Sequence, residues 1–213
     1  MKKKLRGFIE CIRDPGLSQL LYALFRDNKE FVKAFLAAPA AAYHHHAYLG
    51  GLLQHSVSVA DRCLSLLTPE ADADLLVAGA LLHDAGKVYD YDWPGIVINM
   101  TNSGRLLGHI AQGLLLVDRH AKDCPDLAPE RLSLLLHLIA SHHGKLEWGS
   151  LVEPCTLEAV LLHEADYLDM QIFKLELARS QVTKADGWAR VPGFGRHFGL
   201  ERGRGRRERL INS

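Results

Sequence analysis

Apolar residues along this chain recur almost everywhere at three- and four-residue spacing, and alternation with a period of two is nearly absent. That spacing puts the apolar side chains on one stripe of an α-helix, so the chain reads as largely helical. It predicts helices near 17–26, 28–37, 50–67, 72–86, 104–122, 129–143 and 155–182. Local punctuation agrees. Asp27-Asn28 separates the first two helices, Ala38-Pro39 ends the second, Pro69 closes the third, and Asp72 or Asp74 can cap the fourth. Gly86 reads as the stop of the fourth helix, which would place His83 and Asp84 in its last turn. A short hairpin fits only in 89–103, where Pro94-Gly95 precedes IVINM. From Gly187 onward the apolar period is lost and Gly and Arg dominate. One domain over 1–186 followed by a poorly ordered tail, 187–213, is therefore expected.

Charge excludes some partners. Lys+Arg and Asp+Glu both number 25, so no global field draws the chain to a polyanion or a membrane surface, and any grip on phosphate must be local. No apolar run is long enough to span a bilayer, and the basic start MKKKLRGFIECIRD has no apolar stretch behind it, so a cytoplasmic protein is expected. Cys11, Cys63, Cys124 and Cys155 are scattered without a CxxC pair; they read as buried free thiols rather than a zinc ribbon or a redox pair.

Histidine is the unusual residue, with 12 copies that cluster. His55 interrupts the apolar run GGLLQHSVSVAD, and His83-Asp84 ends LLHD. Gly108-His109 opens another helix, SHHG supplies His142 and His143, and Asp166 lies in VLLHEADYLD. These groups fall on separate predicted helices, each in apolar surroundings. Burying each one unpaired would cost several kcal/mol, on the order of 2–7. Convergence on a metal removes that cost, since imidazole nitrogen and carboxylate oxygen together suit zinc, manganese, iron or nickel. His163-Glu164 does not form HExxH, because position 167 is tyrosine. No P-loop, GxSxG or strand-borne GxGxxG competes.

The ordered set H…HD…H…HH…D resembles the HD-domain superfamily of metal-dependent phosphohydrolases. More finely, PAAAYHHHAYLGGLLQHSVSVA, LLHDAGKV, GRLLGHI, SHHGKLEWGS and EAVLLHEADYLD are similar to the HD domain of the YhaM family of 3′→5′ exoribonucleases, over roughly residues 15 to 180. The resemblance implies an all-α HD-domain helical bundle. It also implies one or two divalent ions, with manganese foremost and iron, nickel, zinc, magnesium or cobalt as alternatives. His55, His83, Asp84 and Asp166 would hold one ion; His109, His142 and His143 would serve a second, with Asp84 bridging. The implied substrate is single-stranded RNA or DNA attacked from the 3′ end. Members of that family typically carry an N-terminal OB-fold that holds nucleic acid, and here a short basic lead precedes the first predicted helix. That feature and the neutral charge keep open a small cyclic or monophosphate nucleotide as substrate. HHHAYLGGLLQHS also resembles the HD-type relaxases that nick DNA, and a non-catalytic nucleotide sensor is a further alternative.

Around these ligands stand the candidate substrate contacts. Lys87, one turn after Asp84, either clamps a phosphoryl oxygen as a second catalytic group or is a solvated lysine at a helix end. His46, in the run 44–46, either touches phosphate or enters the helix as a polar segment. Lys145 and Trp148 sit at the mouth; Trp148 either stacks on a base or packs. His163 either faces the site or packs, and the arginines of RGRGRR either hold polyanion or solubilise the end. Asp61 and Glu164 read as surface or supporting groups, Glu164 in the second case orienting a ligand imidazole. An apolar face on the first two helices would support a homo-oligomer.

Overall fold

Leu5 and Ile9, one turn apart, are buried on α1 (Lys2–Cys11), while Lys2, Lys3, Lys4 and Arg6 stay in water. The basic lead is thus itself a helix, where the periodicity had placed the first one at residue 17; three successive lysines mask an i, i+4 apolar pair. The structure is a computed structural model that describes residues 1–41, 48–93, 97–180, 187–191 and 195–198. It divides into two units, Met1–Asp169 and Met170–Ser213.

Within the first unit, α2 (Pro15–Tyr22) is capped by Asp14, whose carboxylate accepts from the Leu17 amide at 2.9 Å, and it unwinds into a π-helical turn, Ala23–Asp27. Asn28 then caps α3 (Lys29–Ala37) in the same way. Gly50, at φ 81°, starts α4 (Gly51–Leu66). The central element is α5 (Ala73–Leu82), in which every residue from 75 to 82 is buried. It packs on α4 and on α8 (Pro129–Ser141). Arg131 of α8 ties two helix starts together, reaching Asp14 at 2.9 Å and the α5 cap Asp72 at 2.6 Å.

The fourth helix ends earlier than its periodicity suggests. It stops at Leu82, residues 83–86 form a turn, and α6 (Lys87–Asp90) follows. Gly86 is not a left-handed stop, since its φ is −63°. It is glycine because a Cβ there would collide with the His109 carbonyl and crowd the Gly113 amide of α7 (Asn102–Ala121). β1 (Tyr91–Asp92) pairs antiparallel with β2 (Asn99–Met100) in the expected hairpin region, of which 94–96 lie outside the described residues. A 3₁₀ turn, Leu146–Trp148, leads toward α9 (Leu157–Ser180).

The second unit takes up the rest of α9 and a hairpin of β3 (Trp188–Val191) and β4 (Gly195–Phe198). Of the stretch expected to be a poorly ordered tail, 192–194 and 199–213 lie outside the described residues, RGRGRR among them. Among the described residues the fold is all-α apart from these two small ladders. Among the described residues no helix is long and apolar enough to cross a membrane. All four cysteines are free, but only Cys63 and Cys124 are buried; Cys11 and Cys155 are exposed, against the expectation of four buried thiols.

Candidate metal centre

Five elements of the first unit bring ligand-type side chains to one point. His55 comes from the first half of α4, His83 and Asp84 from the turn after α5, and His109 from α7. His142 and His143 follow α8, and Asp166 lies on α9. His109 owes its position to Gly108, whose φ 72° and ψ 159° break α7 into two segments, so that His109 opens the second. That backbone region is open essentially to glycine alone.

The seven side chains form two groups around one carboxylate. His55, His83 and Asp166 offer donor atoms within 4.8 Å of one another, and so do His109, His142 and His143. Between the groups lies Asp84, 1% exposed. Its Oδ2 is 3.3 Å from His55 Nε2 and 3.5 Å from His83 Nε2. Its Oδ1 is 3.4 Å from His109 Nε2 and 3.7 Å from His142 Nε2. Asp166 Oδ1 completes the first group, 3.1 Å from His55 Nε2 and 3.9 Å from His83 Nε2. Such separations are those of ligands sharing an ion, because bonds of about 2.1 Å at tetrahedral angles put donor atoms about 3.4 Å apart.

Four of the five imidazoles are hydrogen-bonded on their far sides, which fixes the atom each presents inward. His83 Nδ1 donates to the Ala80 carbonyl at 2.8 Å, His142 Nδ1 to Ile139 at 2.7 Å and His143 Nδ1 to Trp148 at 2.9 Å. His55 Nδ1 reaches Asp169 Oδ2 at 2.9 Å, and His109 Nδ1 lies 3.7 Å from Asp90 Oδ2. Partners of this kind orient metal-ligating histidines and raise their basicity.

Three buried atoms, Asp84 Oδ1, His109 Nε2 and His142 Nε2, have no hydrogen-bond partner. An orphaned buried polar atom costs about 1–3 kcal/mol, and a cation between the three would satisfy all of them at once. The donor set therefore fits divalent ions. Its electrostatics agree. Burial pushes the imidazolium of His83 down to about 4 and that of His143 to about 4, so both are neutral donors at neutral pH. Burial works to raise the Asp84 carboxyl, but Lys87 and the neighbouring imidazoles hold it well below the usual carboxylate range. Burial lowers His55 less than its hydrogen bonds to Asp166, Asp169 and Asp84 raise it, leaving it well above its ordinary value.

All seven ligand candidates from the sequence are thus brought together. Lys87 is buried, its Nζ 2.6 Å from Asp84 Oδ2. Lys145 and Trp148 are exposed on and beside the 3₁₀ turn, while His46 lies outside the described residues. His163 donates Nδ1–H to the His142 carbonyl at 2.9 Å and so packs behind a ligand. Asp61 is at the surface, paired with Lys4. Glu164 is exposed, as its surface reading has it; the orienting role falls to Asp169, which also accepts from Ser58 Oγ at 2.5 Å and Arg62 Nε at 3.0 Å. Asp169 and Asp90 were missed in the sequence. Asp169 was within reach, since it follows Asp166 by three residues and so shares its helix face.

The HD domain family model matches residues 52–171, more than half of the chain and a span containing every one of the seven groups. The chain belongs to the HD domain family. Members of that family bind divalent metals and are in general metal-dependent hydrolases, which accounts for seven ligand-type side chains in an otherwise apolar interior. No solved structure matches the chain.

Proposed function

We propose that this HD domain hydrolyses phosphodiester bonds of nucleotides, acting as a 3′→5′ exonuclease on single-stranded RNA or DNA. The observation that carries the reaction class is the Asp84 carboxylate, each of whose oxygens faces a different set of imidazoles. His55, His83, Asp166 and Asp84 Oδ2 would hold one ion; His109, His142, His143 and Asp84 Oδ1 would hold the other. Divalent ions so placed would acidify water and stabilise the charge on the attacking and leaving oxygens of an in-line displacement. The protein's own part is positional. Asp84 stays ionised and therefore accepts only. Lys87, whose charge is sustained by Asp84 against burial, would meet a phosphoryl oxygen bound beside that carboxylate. Entry is on the side of Asp166 and His109, whose side chains are 19% and 17% exposed, whereas those of His55, His83, Asp84 and His142 are 2% or less.

The choice of substrate polarity rests on resemblance to the YhaM family. The test is a time course with manganese and 5′-labelled single-stranded RNA on a denaturing gel, beside Asp84→Ala and an EDTA control. A metal-dependent ladder shortening from the 3′ end, absent in the variant, is expected. Intact RNA with manganese bound to the same sample would discard the exonuclease. A small cyclic or monophosphate nucleotide is the second reading, favoured by the zero net charge and by the narrow exposure of the donor atoms.

A further inference from the structure

Two large aromatic rings lie parallel and open to solvent next to the ligand histidines. The planes of Trp148 and Tyr167 are 11° apart with centroids at 5.9 Å, and the residues are 47% and 39% exposed. Single exposed aromatics are ordinary, but a parallel pair fixed to the backbone of a metal centre is not. Trp148 is held by its own carbonyl, which accepts from His143 Nδ1 at 2.9 Å. Tyr167 directly follows Asp166 on α9. His163, one turn earlier, joins the two rings at centroid distances of 6.0 and 6.3 Å, and its Nδ1 donates to the His142 carbonyl. Gly144, at φ 80°, leaves the room that the His163 ring fills. The aromatic trio is therefore anchored on both histidines that follow α8.

A cation completes the arrangement. Lys145 Nζ stands 4.7 Å from the centroid of the Trp148 ring, its side chain is 54% exposed, and its contact with Glu147 is a long 3.9 Å. An aromatic face with a loosely held positive charge beside a phosphoester centre matches one chemistry, a nucleobase attached to phosphate. A lipid tail or an apolar peptide would use the rings and leave the cation idle.

We infer that Trp148 and Tyr167 form a stacking platform for a nucleobase of the substrate, with Lys145 meeting an adjacent phosphate. This deepens the phosphodiester reading and rests on it for the position of the phosphate. Stacking is tolerant of base identity, because every base has a π-face, so the platform selects nucleotides over other phosphoesters without selecting a sequence.

The test is calorimetric binding of AMP, ribose 5-phosphate and adenosine to the manganese-loaded full chain. AMP is expected to bind roughly 5- to 150-fold tighter than ribose 5-phosphate, the worth of one stacked base. Trp148→Leu should abolish that preference and Trp148→Phe should keep most of it, while manganese uptake stays intact because the carbonyl on His143 is main-chain. Tyr167→Leu serves as the second variant should Trp148→Leu fail to fold. Equal binding of AMP and ribose 5-phosphate overturns the platform and leaves the phosphodiester reading standing, as does a preference that survives both leucine variants. Adenosine binding that depends on Trp148, with no binding of ribose 5-phosphate, keeps the platform and sinks the phosphodiester reading. Binding of none of the three overturns both.

Discussion

Asp169 shows how much of a metal centre lies behind its ligands. It is 2% exposed and accepts from His55, Ser58 and Arg62, three residues along one face of α4. Three donors hold that carboxylate in place, and a carboxylate partner on Nδ1 makes the opposite nitrogen of His55 a stronger donor. Asp169→Asn keeps the shape and removes the charge. Manganese affinity by equilibrium dialysis is expected to fall about 10- to 100-fold, with the far-UV circular dichroism unchanged. Unchanged affinity would reduce Asp169 to a packing group. The residue scale is also where the sequence was most legible. Each of the seven ligand candidates interrupts or borders an apolar run, and a polar residue there demands a partner. Asp90 and Tyr167 were harder to see, because what they do depends on neighbours far along the chain. Asp90 meets Gln112 and His109, and Tyr167 meets Trp148.

At the scale of elements, the site depends on two glycines that bring α6 and α7 together. Gly86 lets the turn after α5 pass against the His109 carbonyl, and Gly108 breaks α7 so that His109 faces Asp84. Gly108→Ala meets no neighbour within 4 Å, so its effect is backbone strain alone. Denaturant unfolding should show a loss of about 1–3 kcal/mol, and bound manganese per chain should fall as His109 leaves its group. Gly86→Ala forces backbone against backbone and should cost as much or more. A Gly108→Ala protein with native stability and full metal content would mean that the kink positions nothing. The helices α2 to α5 and α7 to α9 were readable because their stripes repeat along the sequence, whereas α6 is too short to carry one. The break between α5 and α6 was not, since a contact between Gly86 and a carbonyl 23 residues away sets it, and local spacing carries no trace of that. α1 escaped notice because its polar face outnumbers the two residues that it buries.

At the scale of the whole first unit, seven ligand-type groups from five elements occupy the place where a helical bundle would ordinarily put its most apolar residues. Such a centre is a stabilising element only when its charges are answered. With its donors already oriented by Asp169, Asp90 and main-chain carbonyls, the folded chain binds ions that the unfolded chain, whose ligands are scattered from 55 to 166, holds far less well. Binding to the folded state alone at a free manganese concentration 1,000 times the dissociation constant stabilises by about 4 kcal/mol. For a chain of this length that raises the thermal midpoint by on the order of 10 °C. Chelation should reverse the shift, and Asp84→Asn, which loses the shared carboxylate, should show little of it. The shift should also grow with pH. His55 is held protonated above its ordinary range, binding requires its Nε2 lone pair, and the released proton makes affinity rise until the pH passes the raised pKa. Differential scanning calorimetry with and without manganese at pH 6 and pH 8 reads both effects. A midpoint indifferent to manganese at either pH would show that the cluster is a polar core and not a metal centre.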